Sequence, residues 1–405
     1  MHFKLGFTFL IAIFFLFACQ DDSTDSTNYP STQSGVIVAG SYSTGGNEFG
    51  AYWTDYNNDG SWERTDLDDA RVIHDIAVNN GVLYAVGETT WALGEQDPAI
   101  WINGEKIELN TPNKDENWGG ATAFSLDFDG ENVYVSGNYA SQKASFGGVS
   151  SACYWIVNSN NPSGKHYPLE SGVSSDAFAI AIRNGEPISV GWYMDEHKII
   201  PAKWIGSNRS KLDSRNDGEA MDIIVDGNDY YISGWTDNKR QATHYYPSIW
   251  KNNQSTRKIL TEATLKNSEV LSNDREAWAS ALTMKDGKLY AAGSTYYDYS
   301  VWSASYWTDI EFNGNPVGEI VEFNGGEMKD IAISNSGQII IVGDGAVAGH
   351  AVGYVDTLRD ILVPDQLQQS LDASAAIAAD AQRVGRALDE EQRRFSDIEQ
   401  QARSR

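Results

Sequence analysis

The sequence has little cysteine, proline and positive charge for a chain of 405 residues. There are two cysteines, ten prolines, and 30 basic against 56 acidic side chains, which gives a formal net charge of -26. Such an acidic surface repels phosphate backbones, so the charge argues against a nucleic-acid partner. Cys153 lies in the apolar segment SACYWIV, which indicates a buried core residue rather than a reactive thiol.

The motifs of several common enzyme classes are also missing. We find no Walker phosphate loop, dinucleotide-binding glycine motif, serine nucleophile elbow, HExxH sequence or Cys–His metal spacing. Abundant instead are aromatic residues, at 12% with 13 Trp and 20 Tyr, and glycine, with 37 residues. This mixture favours many short strands joined by tight turns.

The longest apolar run lies at the N-terminus, where Lys4 precedes an apolar stretch that ends at Ala18. The run is too short to cross a membrane comfortably and is typical of a signal peptide. It ends in Leu16-Phe17-Ala18-Cys19, which resembles the lipobox of bacterial lipoproteins. The resemblance implies that residues 1–18 are removed and that Cys19 is acylated, so that a lipid holds the protein on a membrane.

Residues 19–35 follow as a polar, acidic segment, QDDSTDSTNYPSTQSG after the cysteine, for which we predict a disordered tether. Acidic residues directly after the lipid cysteine resemble the surface-export signal of Bacteroidota lipoproteins. The resemblance implies an outer-membrane lipoprotein exposed at the cell surface, with the periplasmic face as the alternative.

A repeated unit occupies residues 36–363 and has a mean period of about 50 residues. Its second strand ends in a glycine, which recurs at Gly40, Gly87, Gly137, Gly191, Gly234, Gly293 and Gly343. Its third strand carries a tryptophan, replaced by tyrosine in the last unit, at Trp53, Trp101, Trp155, Trp204, Trp250, Trp307 and Tyr354. Because the tryptophan recurs at one strand position, we interpret it as a packing residue between units.

Each unit reads as four strands in which the first alternates apolar and polar residues and ends in an Asn-Gly or Asp-Gly turn. Seven such units without helical periodicity predict an all-β β-propeller of seven four-stranded blades. The first unit lacks an obvious first strand. Either residues near 28–32 supply it, or one blade has three strands; a sandwich-type array is a further alternative.

The pattern VYVAG followed by YW is similar to repeats in β-propeller lipoproteins of Bacteroidota, most of them uncharacterised. The resemblance covers about 330 residues and implies a fold and a compartment, but no activity. The repeat differs from the WD40 and kelch patterns, since neither the Gly-His and Trp-Asp pair nor the double glycine recurs.

Composition changes after Pro364. Residues 364–405 carry no Trp and no Lys, and apolar residues spaced three and four apart predict an amphipathic helix of coiled-coil type. The helix could mediate self-association or docking, lie on the propeller, or be foreign to the rest of the chain.

Three groups of residues are candidate sites. The first is a stretch that matches the calcium-loop pattern D-x-N-x-D-G, with ligands predicted at Asp55, Asn57, Asp59, Ser61, Glu63 and Asp66. An ordinary polar hairpin explains the same residues.

The second group lies on the predicted inner strands at equivalent positions: Asp75, Asp222 and Asp330, with His74 beside the first. These carboxylates could bind a cation or a sugar in the shaft of the propeller, or accept hydrogen bonds from a neighbouring backbone. The third group is aromatic and follows the second-strand glycines: Tyr42, Trp91, Tyr139, Trp192, Trp235 and Tyr296. Aromatic rings on a rim suit sugars and protein partners, while packing between blades is the alternative.

Two functions fit these features. The first is a non-catalytic module that binds a glycan or a protein. The second is an extracytoplasmic polysaccharide lyase or hydrolase with its site at the mouth of the shaft. We favour binding because no single unit carries a dense cluster of His, Arg, Tyr and Glu.

We predict that the mature protein begins with an acylated Cys19. Mass spectrometry of the purified mature N-terminus should find the lipid on this residue and lose it in Cys19→Ala. A free N-terminus further along the chain would contradict the prediction.

Overall fold

The computed structural model describes residues 36–357 except 45–46, 56–61, 90–96, 113–119, 143–148, 215–216, 239–240, 253–256, 261–275, 298–300, 309, 311–319, 325–326, 334–337 and 345–350. The described residues form strands and turns and contain no helix long and apolar enough to cross a membrane. The chain divides into compact units at residues 1–355 and 356–405. The predicted signal peptide, tether and C-terminal helix lie outside the described residues.

The strands form seven separate antiparallel sheets in chain order. Sheet 1 contains β1 (Val36–Thr44), β2 (Asn47–Asp55) and β3 (Glu63–Asp66). Sheet 2 contains β4 (Ala70–Asn79), β5 (Val82–Thr89), β6 (Pro98–Ile102) and β7 (Glu105–Glu108). Sheet 3 contains β8 (Ala121–Asp129), β9 (Asn132–Gln142), β10 (Val149–Asn158) and β11 (Asn161–Pro168). Sheet 4 contains β12 (Ser175–Arg183), β13 (Glu186–Asp195), β14 (Lys198–Ile205) and β15 (Asn208–Lys211).

The remaining sheets continue the same order. Sheet 5 contains β16 (Gly218–Asp226), β17 (Asp229–Asn238), β18 (Gln241–Lys251) and β19 (Lys258–Ile259). Sheet 6 contains β20 (Glu276–Lys285), β21 (Lys288–Tyr297), β22 (Val301–Trp307) and β23 (Ile320–Asn324). Sheet 7 contains β24 (Glu327–Ile333), β25 (Gln338–Asp344) and β26 (Ala351–Thr357).

This architecture confirms the all-β prediction and the seven units, and the serial array of meandering sheets is propeller-like. Among the described residues, five sheets have four strands, while sheets 1 and 7 have three. In sheet 1 the described residues include no first strand of the unit, and residues 28–32, which could supply it, lie outside the described part of the chain. The segment expected to form the fourth strand of sheet 7 lies beyond residue 357, outside the described residues. Tight turns join first and second strands, as at Asn80-Gly81, where both φ angles are positive, at 51° and 76°.

An apolar cluster fills each gap between neighbouring sheets, and the repeated tryptophan lies in or against it except between sheets 6 and 7, where the repeated residue is Tyr354 and its side chain lies outside the described residues. Trp155 of sheet 3 packs with Val86 and Leu109 of sheet 2, and Trp204 of sheet 4 packs with Leu169, which follows β11. Between sheets 7 and 1, Val38 packs with three residues of sheet 7, with Trp53 against them: Ala332, Ile340 and Val342. These contacts show that the tryptophans pack between sheets, as predicted. Of the strands that the structure describes, none in sheet 1 hydrogen-bonds to one in sheet 7.

Four of the repeated tryptophans also hydrogen-bond across the gaps, while Nε1 of Trp307 is buried without a partner in the described structure. The indole Nε1 of Trp101 donates to the Asp68 carbonyl at 2.9 Å, and that of Trp155 donates to the Asn110 carbonyl at 2.6 Å. Trp204 donates instead to the Glu170 carboxylate at 3.0 Å. Each acceptor follows the last strand of the preceding sheet, so the bond fixes one sheet against the next.

Cys153 is part of this interior. It is fully buried in the cluster between sheets 2 and 3, and burial raises the pKa of its thiol well above the usual value. The predicted role as a core residue is confirmed.

The repeated glycine has a steric cause. Each first strand with a described partner contains a bulge, which is one extra residue that has no partner on the second strand. The extra residue directly follows the residue that pairs with the glycine of the second strand. An added Cβ on Gly87 would lie 2.0 Å from the Val72 carbonyl oxygen, and on Gly191 it would lie 1.9 Å from the Asp176 oxygen. Since these contacts are to backbone, any side chain would displace the first strand.

We predict that Trp204→Ala destabilises the protein by ~3–5 kcal/mol, because it removes a fully buried indole and leaves a cavity between sheets. Trp62→Ala is the control, since Trp62 is 39% exposed. Denaturant unfolding measures both variants. Equal losses for the two variants would contradict the packing role.

Gly87→Ala should destabilise by about 3 kcal/mol, because the new methyl group cannot fit beside the Val72 carbonyl. Gly104→Ala is the control: Gly104 has a φ of 80° and open space around it, so its cost is about 1 kcal/mol. If thermal unfolding ranks the two variants in the opposite order, the steric account of the repeat is wrong.

Candidate functional site

The bulge adds one extra residue to each of the six first strands that the structure describes. The extra residues are His74, Phe124, Phe178, Met221, Ser280 and Lys329. The rings of His74 and Phe124 meet edge to face with centroids 5.4 Å apart, and Phe124 meets Phe178 in the same way at 5.4 Å. In sheets 2 to 4, the bulge residues of successive first strands therefore contact one another.

The three predicted inner-strand carboxylates lie one residue beyond the bulges. Asp75 accepts a hydrogen bond from Leu126 N–H of the next sheet at 2.7 Å, and Asp222 accepts one from Leu282 N–H at 2.7 Å. Asp330 accepts one from Ile331 N–H of its own strand at 2.7 Å. Asp75 and Asp222 thus join adjacent sheets, which was the alternative to ligand binding. Desolvation raises the pKa of Asp75 to about 7 and that of Asp222 to about 6.

A different set of polar groups gathers where each second strand continues past its glycine, which we call the glycine end. In sheet 4, Trp192 follows Gly191 and lies opposite Asp176 of the first strand. In sheet 5, Trp235 follows Gly234 and lies opposite Glu219. Each tryptophan hydrogen-bonds to its carboxylate, with Trp235 Nε1 at 3.1 Å from Glu219 Oε2. The register therefore builds the same Trp–carboxylate pair twice.

These two carboxylates are largely withdrawn from water. Burial and, to a smaller extent, the nearby Asp176 charge raise the pKa of Glu219 to about 7, against the hydrogen bond from Trp235, which lowers it. Burial likewise raises the pKa of Asp176, although Asn138 donates to its carboxylate at 2.7 Å and Ser150 at 3.1 Å. Trp192 and Trp235 remain partly exposed beside them. The pairs thus combine partly exposed indole rings with carboxylates, and Glu219, with a pKa of about 7, can accept or donate a hydrogen bond near neutral pH.

A second polar cluster spans sheets 1 and 2 at the same end. His74 Nε2 lies 3.0 Å from Glu88 Oε1, and Arg71 contacts both Glu88 and Glu48 at 3.0 Å. His74 is buried, and its Nδ1 has no partner in the described structure. Acid–base catalysts often use an imidazole held by a carboxylate, although both ring nitrogens of His74 are buried here.

Sequence reasoning missed Asp176, Glu219, Glu88 and Arg71. On the first strands, the sequence pattern singled out His74 at the bulge and the carboxylates just beyond the bulge, and the bulge itself is not visible in the sequence. A usable signal did exist, because Glu88 and both tryptophans directly follow a repeated glycine. That position is polar or aromatic in several units.

The other predicted aromatic residues differ in surroundings. Tyr139 is buried, its hydroxyl donates to the Glu170 carbonyl at 3.1 Å, and its ring contacts His166. Tyr42 stacks on Phe49 and lies under the Arg64 guanidinium. Trp91 lies outside the described residues, as does the side chain of Tyr296. Tyr139 therefore serves packing, while Trp192 and Trp235 face the glycine end.

The predicted calcium loop falls mostly outside the described residues. Asn57, Asp59 and Ser61 are not described, and neither is the side chain of Asp55. Glu63 and Asp66 lie exposed on β3, where Asp66 pairs with Arg64 at 2.8 Å and accepts a hydrogen bond from Tyr42 at 3.1 Å. Within the described part of the chain, no three His, Cys, Asp or Glu side chains form a metal-binding group.

Comparison with known proteins gives structural similarity alone. Neither a known protein family nor a curated protein matches the sequence. The structure is similar to the acylaminoacyl peptidase of Pyrococcus horikoshii, with a TM-score of 0.46 and 12% identity over 79% of this chain and 49% of that one. It is also similar to the β-propeller domain of the trilobed protease of Pyrococcus furiosus, with a TM-score of 0.46 and 10% identity over 81% and 94% of the two chains.

A third similar structure is the sialidase of Trypanosoma rangeli, with a TM-score of 0.43 and 12% identity over 73% of this chain and 57% of that one. The chain spans about half the length of the acylaminoacyl peptidases that it matches. At these scores and identities, none of the three proteins assigns an activity to this chain.

We predict that the stability of Glu219→Gln relative to the parent depends on pH. The pKa of Glu219 is about 7 when folded and about 4.5 in the unfolded chain, so the folded state holds the proton more tightly between these values. The free energy of unfolding of the parent therefore falls as pH rises from about 4.5 to 7, because the folded state releases this proton less readily. The glutamine variant has no such proton and does not show this loss.

Thermal midpoints at pH 5 and pH 8 measure this difference, with Glu186→Gln, at an exposed position, as the control. The advantage of Glu219→Gln should grow toward pH 8. An advantage independent of pH would show that the carboxyl is not shifted.

Proposed function

We propose that this protein is a lipid-anchored β-propeller outside the cytoplasm that binds a glycan at the glycine end of sheets 4 and 5. The observation that carries the proposal is the doubled Trp–carboxylate pair, Trp192 with Asp176 and Trp235 with Glu219. Indole faces stack on the apolar faces of sugar rings, and carboxylates accept hydrogen bonds from hydroxyl groups. The pairs supply both chemistries in neighbouring sheets.

The proposal includes a closed ring of seven blades. The apolar cluster of Val38 and Trp53 with residues of sheet 7 supports it, because it gives the first and last sheets the kind of contact found between the other neighbours. In such a ring, the first strands face a central shaft, and the glycine end is one mouth of that shaft.

The proposal also includes the anchor at Cys19, as implied by the lipobox resemblance of the sequence. A surface or periplasmic position would give the site access to extracellular carbohydrate. The acidic charge of the chain favours neutral or weakly charged glycans over anionic ones.

A glycan array tests the binding function directly. The unlipidated chain 20–405 should bind a defined group of oligosaccharides, and Trp235→Ala and Glu219→Gln should each lose at least about tenfold in affinity for them. Trp62→Ala is the control and should bind as the parent does. Binding that survives both site variants, or the absence of any glycan ligand together with capture of a protein partner, would contradict the proposal.

An extracytoplasmic lyase or hydrolase is the second candidate, and the buried His74–Glu88 pair beside Arg71 favours it. For this function, oligosaccharide products should appear when the array ligands are incubated with the parent. His74→Gln should abolish the products while leaving binding unchanged. If no product forms, the protein binds without catalysis.

We also propose calcium binding at the loop from Asp55 to Asp66. Carboxylates crowded in one turn repel each other, and a cation would convert that repulsion into attraction. Calcium at a hundred times its dissociation constant should stabilise the parent by ~2.7 kcal/mol, and Asp59→Ala should remove the effect. An unchanged thermal midpoint in chelator, with no calorimetric signal at millimolar calcium, would show an ordinary hairpin.

A further inference from the structure

The two Trp–carboxylate pairs belong to a series of equivalent positions at the glycine end. In each sheet with a described first strand, the residue after the repeated glycine lies opposite the first-strand residue two positions before the bulge. In sheets 4 and 5 this position pair holds a tryptophan and its carboxylate. In sheet 6 it holds Ser294 and Trp278, and the indole of Trp278 is also partly exposed. Three consecutive sheets therefore each place one indole at the glycine end.

The packing of the sheets sets the distance between these indoles. Val190 of β13 lies in one apolar cluster with Ile232 of β17, so sheets 4 and 5 pack face to face, and a similar cluster joins sheets 5 and 6. Sheets packed in this way lie about 10 Å apart. Because Trp192 and Trp235 occupy equivalent positions, a comparable distance separates them. One sugar ring is too small to stack on both.

We infer that the glycan bound at the glycine end is an unbranched, uncharged oligosaccharide that lies across sheets 4 to 6. Different sugar units of the chain stack on Trp192, Trp235 and Trp278. The inference rests on the proposed function, since it names the class of glycan that the same site binds. A row of indoles that crosses successive sheets fits a linear chain of sugars, because each ring offers its face to a separate unit.

The row of indoles ends at sheet 3. There the same position pair holds Thr122 and Asn138, and neither residue offers a ring for stacking. Asn138 instead donates to the Asp176 carboxylate at 2.7 Å, and Ser150 donates to it at 3.1 Å. Sheet 3 therefore fixes the first carboxylate of the site, and the sugar chain extends from Trp192 toward sheet 6.

The surroundings of the indoles suit an uncharged chain. Trp235 is held by its hydrogen bond to Glu219 and by the ring of Tyr245, whose centroid lies 4.3 Å away. A ring fixed in this way loses little freedom when a sugar binds. An anionic sugar would meet the acidic groups of Asp176 and Glu219, and the net charge of -26 would add to the repulsion.

Isothermal calorimetry of the full chain with unbranched sugars of increasing length tests the inference. The probes are the series from glucose to cellohexaose, from mannose to mannohexaose and from xylose to xylohexaose. In at least one series the hexaose should bind at least about tenfold more tightly than its monosaccharide, because linked units bind as one ligand. This comparison needs no variant, so it does not depend on how a substitution affects folding.

Trp192→Ala, Trp235→Ala and Trp278→Ala should each lower the affinity for that hexaose at least about tenfold, whereas the control Trp62→Ala should not. A monosaccharide that binds as tightly as the hexaose, or a hexaose whose affinity depends on one tryptophan alone, would overturn the inference and leave glycan binding intact. Binding in none of the three series would also overturn it. The glycan array then shows separately whether branched or charged glycans bind, so the proposed function can stand or fail by itself.

Discussion

The close approach of a second-strand glycine to a first-strand carbonyl is the contact on which the rest of the structure depends. In sheets 2 to 6, an added Cβ would lie 1.9–2.0 Å from that oxygen. The space lets each first strand carry one extra residue, which turns its next side chain toward the neighbouring sheet. The packing of His74 on Phe124 and the hydrogen bond from Leu126 to Asp75 both depend on this shift.

The same bulge creates the polar environment of the candidate site. The residue two positions before the bulge lies opposite the residue after the glycine, which pairs Asp176 with Trp192 and Glu219 with Trp235. Burial then raises the pKa of both carboxyl groups, because water that would stabilise the charged form is excluded. The bulge is a structural feature of each first strand that the structure describes. In sheets 4 and 5 it also brings a tryptophan and an acidic residue together, and these pairs form the candidate binding site.

Much of the fold could be predicted from the sequence, because its causes recur with a fixed period. The glycines and tryptophans repeat in each unit for steric and packing reasons, so Gly191 and Trp204 were recognisable before their contacts were known. The site was harder to predict. Asp176 and Trp192 lie on different strands, and the cluster of His74 and Glu88 with Arg71 and Glu48 is assembled from two sheets. Only the bulge register relates these residues, and periodicity does not reveal a one-residue insertion.

The most direct test of the account is the fluorine NMR spectrum of the protein labelled with 5-fluorotryptophan, recorded with and without a bound oligosaccharide. Single Trp→Phe variants assign the resonances. The account predicts that the Trp192 and Trp235 signals shift on binding, while those of the buried Trp101, Trp155 and Trp250 stay in place. Shifts confined to other tryptophans, with Trp192 and Trp235 unchanged, would contradict a ligand site at the glycine end.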